Sequence, residues 1–265
     1  MGKIETLNQF ITHRGPLRHK DFPLILFWSE KAGCTNFAKW FFYQIGQLDE
    51  AIKHSVHVYR IRMYENEDNY YSYLSDELQQ EKKDAVKLIR NPFKRAVSSF
   101  LIISHYCFSS HPPNRMFHDW ERIYQLFYKK GSQYNGISFK QFLYYLEKTG
   151  TDINIVDGHI GRQYIDGEEE LVTKYIKLEQ IKKEIKKLEK KYHLKRCPDA
   201  VYAQKNDHNF QESMIKNGDF SDEILTRELL LGECLPKFES FYDQESKELC
   251  KSIFKTDFEI YEHAD

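Results

Sequence analysis

Two stretches of the chain repeat one plan, an apolar run, a short polar turn and an amphipathic run, and that repeat restricts the fold more than any other feature. The first is Leu24-Ile25-Leu26-Phe27-Trp28-Ser29-Glu30-Lys31-Ala32-Gly33-Cys34-Thr35-Asn36-Phe37-Ala38-Lys39-Trp40-Phe41-Phe42. Its run from Leu24 to Trp28, behind Pro23, predicts a buried strand, and Thr35 or Asn36 as cap ahead of Phe37, Trp40 and Phe41 predicts a helix. The second, Asp84 to Phe100, predicts a strand over Ala85 to Ile89, with Asn91 as N-cap and Pro92 at the first helical position. Strands this apolar are covered on both faces, so an α/β fold with a parallel sheet is expected. A right-handed crossover between them brings both turns to the carboxyl edge of the sheet.

Each turn has the chemistry of an anion site. N–H groups at a helix start have no intrahelical partner and carry the positive end of the dipole, and Gly33 lets the main chain approach a phosphate closely. Lys31 adds a charge and Thr35 a hydroxyl, although an ordinary strand-to-helix turn has the same outline. This is not the ATP-binding loop, in which the lysine follows the second glycine, because Lys31 precedes Gly33. In the second turn Arg90 leaves the strand end where Ser98 comes round on the helix, a fork and a hydroxyl suited to a second phosphate. A capped helix with solvating arginines is the alternative there.

Together, and in this order, the two turns resemble the sulfotransferases that use 3′-phosphoadenosine 5′-phosphosulfate (PAPS), most closely the carbohydrate branch of family 2 type. The resemblance implies a single P-loop-like domain with a central, mostly parallel sheet flanked by helices, spanning residues 1–265. It implies that Lys31, Ala32, Gly33, Cys34, Thr35 and Asn36 form the loop for the donor's 5′-phosphosulfate, with Lys31 also acting on the leaving phosphate. Arg90 and Ser98 then belong to the 3′-phosphate, through the pattern Arg-[Asn/Asp]-Pro-x-x-Arg-x-x-Ser. Lys205, in Lys205-Asn206-Asp207-His208-Asn209-Phe210, is either a third cation for the donor or an exposed lysine. His159 is implied as the general base, from His159-Ile160-Gly161-Arg162-Gln163 where the branch has His-Trp-x-Pro-Gln, with His105 and His118 behind it. Glu30 stands where the family usually has proline, and a carboxylate there must point away from the donor or pair with a cation. The implied acceptor is a hydroxyl, of a carbohydrate or glycoconjugate, and no metal is required.

Elsewhere the pattern sets further expectations. Ile4, Leu7, Phe10 and Ile11 predict a short N-terminal helix, and Glu65 to Lys83 a loop and a helix. Tyr59, Ile61 and Met63 alternate with Arg60 and Arg62, which predicts a half-buried strand over His54 to Tyr64 with the arginines on a solvated face. Helices are expected over Phe93 to Phe108, ahead of a break at His111-Pro112-Pro113, and over Asp119 to Lys130. Ser138 and Gln141 form a capping box for a helix over Phe139 to Glu147. A strand over Val172 to Glu179 leads to a lysine-rich helix with Leu178, Ile181, Ile185, Leu188 and Tyr192 on one stripe, and Phe241 to Tyr261 resembles the family's closing helix.

A net charge of −1 argues against general nucleic-acid binding, and 41% hydrophobic with 30% charged residues is a globular composition. Met1 to Lys20 is polar and no run reaches membrane-spanning length, so a cytoplasmic protein is expected. Five cysteines without metal-ligand spacing read as free thiols. A nucleotide kinase with a variant loop, or a binding module that has lost catalysis, are the competing functions.

Overall fold

The computed structural model describes residues 2–66, 68–107, 114–128, 136–203, 213–232 and 234–264. In chain order these form α1 (Lys3–Arg14), β1 (Leu24–Phe27), α2 (Cys34–Gln44), α3 (Leu48–Lys53), α4 (Val56–Asn66), α5 (Tyr70–Gln79), β2 (Asp84–Ile89), α6 (Pro92–Cys107), α7 (Asn114–Phe127) and α8 (Phe139–Thr149). There follow β3 (Lys174–Lys177), α9 (Ile181–Lys191), α10 (Ala200–Ala203), β4 (Met214–Lys216), α11 (Arg227–Leu231), β5 (Leu235–Pro236), α12 (Gln244–Ile253) and α13 (Lys255–His263). The chain divides into two units, residues 1–90 with 163–206 and 263–265, and residues 91–162 with 207–262. Among the described residues no helix is long and apolar enough to cross a membrane.

The first unit holds the expected parallel sheet, in strand order β1-β2-β3. Leu24 pairs with Asp84 and Phe27 with Lys87, while Val86 pairs with Lys174 and Ile89 with Lys177, so all three strands end at one edge. Every residue of β1 is buried because both faces are covered. Leu24 and Leu26 pack with Phe37, Trp40 and Phe41 of α2, whereas Phe27 meets the ring of Phe10 from α1 edge-on at 4.6 Å. Burying aromatic side chains of this size supplies about 1.5–3 kcal/mol each, which fixes the direction in which β1 delivers its loop.

Three expectations are corrected here. Residues 56–66 form helix α4, not a strand: Val56, Tyr59, Arg60 and Met63 turn inward while Val58 and Ile61 are exposed, a period of 3.6 that happens to overlap an alternation. Arg60 is consequently 9% exposed and not on a solvated face. The third strand is only Lys174–Lys177, since Leu178–Gln180 turns as a 3-10 helix before α9. The closing segment is two helices: Asp243 caps α12, which ends at the buried Phe254 before α13 starts.

The second unit has its own core, built on Val97, Phe100, Leu101, Phe139, Phe142, Leu143 and Phe241. Asn91 caps α6 by accepting from the Lys94 N–H at 3.2 Å, as its position before Pro92 predicts. At α8 both bonds of the Ser138–Gln141 capping box are made. The His111-Pro112-Pro113 break lies outside the described residues.

Candidate active site

The loop after β1 is shaped by two residues with positive φ, Lys31 at 61° and Gly33 at 85°. Gly33 itself is the N-cap of α2, which corrects the expectation that Thr35 or Asn36 caps it; both lie inside the helix. No side-chain cap bond is made at α2, so the first-turn N–H groups of Cys34 and Thr35 are of the kind an anion can occupy. The positive φ favours glycine at position 33, and a Cβ there would meet the end of the Leu178 side chain, which would have to shift. Ala32 is fully buried beneath the loop. Burial pushes the Cys34 thiol up from its ordinary value, more than Arg60 and Lys31 pull it down, and Cys34 is therefore a filler of the turn with little thiolate character.

Arg90, the residue after β2, reaches this loop. Its Nη1 donates to the Lys31 carbonyl at 2.9 Å, and burial lowers its pKa to about 10 although Glu179 acts in the other direction. The peptide of Arg90 is gripped by one side chain: its N–H donates to Gln163 Oε1 at 3.0 Å, and Gln163 Nε2 donates to its carbonyl at 2.8 Å. Gln163, taken from the sequence as the end of the His motif, is thus a strap on the second turn.

The Gln163 carbonyl in turn accepts from two buried cations, Lys87 Nζ at 2.6 Å and Arg14 Nη1 at 3.0 Å. Lys87 also pairs with Glu168, and both are buried. Arg14 Nε donates to Glu30 Oε2 at 2.7 Å, with Arg14 fully buried. Glu30 therefore meets the requirement read from the sequence: it is paired with a cation. A buried pair of this kind is costly to break from one side, by about 3–5 kcal/mol, because the other charge is stranded.

Helix α4 supplies two further groups that the strand expectation concealed. His57 Nε2 lies 3.0 Å from Thr35 Oγ1, and the Arg60 guanidinium carbon sits 3.7 Å from the centre of the Trp28 ring. Positions three apart share a helix face. The signal for them was the arginine standing at an inward position of the 56, 59, 60, 63 pattern.

A model of the sulfotransferase family matches residues 19–264. The chain belongs to that family. No curated protein and no solved structure matched it.

In this sulfotransferase the remaining sequence-predicted residues fall as follows. Asn36 lies in the first turn of α2, with its Oδ1 buried and unpartnered among the described residues. Ser98 and His105 lie on α6 in the second unit. His118, on α7, is exposed and 3.5 Å from Glu121. His159, also in the second unit, has its Nδ1 2.7 Å from Asp157 Oδ1. Burial raises the Asp157 pKa, but the His159 ring and backbone bonds outweigh it and the net shift is downward. That contact leaves Nε2 as the ring nitrogen turned away from Asp157. Lys205 lies outside the described residues. Among the described residues no cluster of three His, Cys, Asp or Glu side chains that could hold a metal ion is found.

Proposed function

We propose that the chain transfers a sulfuryl group from PAPS to an acceptor hydroxyl of a carbohydrate or glycoconjugate, with residues 1–265 acting as one sulfotransferase domain. The observation that carries this reading is the bond from Arg90 to the Lys31 carbonyl, which joins the two anion-binding turns at one sheet edge. The uncapped start of α2, with Gly33 at positive φ before it, fits a phosphate group drawn against the main chain.

The donor supplies the sulfuryl group together with the phosphate that departs from it. Lys31 offsets the charge collecting on the oxygen between sulfur and phosphorus, and Thr35 with the Cys34 and Thr35 N–H groups holds the 5′-phosphate. Arg90 takes the 3′-phosphate; Ser98 and Lys205 join it by the motifs they belong to. His159 Nε2 takes the acceptor's hydroxyl proton, a role worth about 10²- to 10⁴-fold in rate.

Thermal shift tests the donor. A ligand at 100 times its Kd stabilises the folded form by about 2.7 kcal/mol. Adenosine 3′,5′-bisphosphate without metal is expected to raise the Tm, and the rise is expected to vanish in Arg90→Met. Stabilisation by ATP with Mg²⁺ and none by the bisphosphate would turn the assignment to a kinase.

A further inference from the structure

Arg60 is a charged residue at this loop whose chemistry the reading above leaves unused. It is 9% exposed, and its Nε and Nη1 are buried with no hydrogen-bond partner among the described residues. Leaving donors of a buried cation unmade is expensive, since desolvation removes water without replacing it. A bound anion would complete it. Its surroundings indicate which ligand. The guanidinium lies over Trp28, the residue that enters the loop, at 3.7 Å, and its charge acts on Cys34, the first residue of α2, more strongly than Lys31 does. Trp28 and Cys34 bracket Lys31 in the chain. One turn earlier on the same helix face, His57 touches Thr35, so α4 lies along the loop from its helix start back to its strand end. The buried Ser29 Oγ, between Trp28 and Lys31, is likewise without a partner among the described residues.

We propose, resting on the donor assignment above, that Arg60 is the cation for the sulfuryl end of the bound donor, its guanidinium donating to sulfuryl oxygens while Trp28 holds it by stacking. Lys31 and the helix start then serve the phosphate, and Arg60 the group that is moved. His57 is a positioning residue, acting through the Thr35 hydroxyl.

PAPS and adenosine 3′,5′-bisphosphate differ by the sulfuryl group, so the comparison of the two isolates Arg60. Calorimetric titration without acceptor is expected to show Arg60→Met binding PAPS about 10- to 100-fold more weakly than the unaltered chain, the loss of a charge-assisted pair, with the bisphosphate within about 2-fold. Arg60→Lys, which keeps the charge and loses the fork, is expected to lie between, and it carries the test if Arg60→Met does not fold. Equal weakening of both ligands, or of neither, in variants that melt cooperatively overturns the role of Arg60 and leaves the donor assignment standing. Failure of the unaltered chain to bind either ligand removes both.

Discussion

Gly33→Ala is the sharpest probe of the donor loop, because the structure separates its cost into two parts. The first is backbone strain: φ is 85°, and an L-residue with a Cβ costs about 1–2 kcal/mol in the left-handed region. The second is steric. A Cβ at this position meets the Leu178 side chain, and displacing a packed side chain costs about 1–3 kcal/mol. The single variant should therefore lose about 2–5 kcal/mol. In a Leu178→Ala background only the strain is left, so the two substitutions should couple by about 1–3 kcal/mol. Trp28 and Tyr-free emission at Trp40 report on the first unit once Trp120, of the second, is replaced by phenylalanine; urea unfolding followed in that background measures all four corners of the cycle. Additivity within about 0.5 kcal/mol would show that Leu178 does not close over Gly33, and the cradle argument would fail with it.

Gln163→Ala strips the Arg90 peptide of both its bonds to that side chain, and should cost about 2–3 kcal/mol in the same assay while weakening adenosine 3′,5′-bisphosphate; a loss below about 0.5 kcal/mol would refute its role as a strap. In the second unit, Lys140 Nζ lies 2.6 Å from Asp243, and burial, which alone would raise the Asp243 pKa, is outweighed by this bond and those of Ser246, so the carboxyl is held well below its ordinary 3.8. Because the folded value lies below the unfolded one, this contribution is complete above about pH 4 and is lost as pH falls through the folded value. Acid unfolding of Lys140→Met should show a shallower loss in that window, and an unchanged acid limb would exclude the pair.

The features legible in the sequence were those written within a few adjacent residues. Pro23 ahead of an apolar run, Asn91-Pro92 and Ser138 with Gln141 fix local geometry by rules that need no distant partner, and each element appeared with its expected type. The loop after β1 was recognisable for the same reason. Its cap was not, since Gly33 takes the N-cap position with positive φ close to Leu178, which lies 145 residues on in sequence and is brought near because β3 pairs with β2. Helix α4 failed for a different reason: over nine residues a helical and a strand period can be satisfied together, and the arginine at 60 counted as polar when its stem and ring contact make it an inward residue. The ion pairs of Arg14 with Glu30 and Lys87 with Glu168 join residues 16 and 81 positions apart, and nothing in a local pattern announces them.

Helix α1 ends at Arg14, ahead of the matched residues 19–264, yet that arginine is what neutralises Glu30 beside Lys31. The carboxylate at position 30 and the helix ahead of the matched residues are therefore coupled: removing α1 takes away the cation that Glu30 is paired with. Trimming the protein to residues 19–264 would leave the Glu30 carboxylate without its Arg14 partner, and Glu30→Pro is what would make the shortened form tolerable.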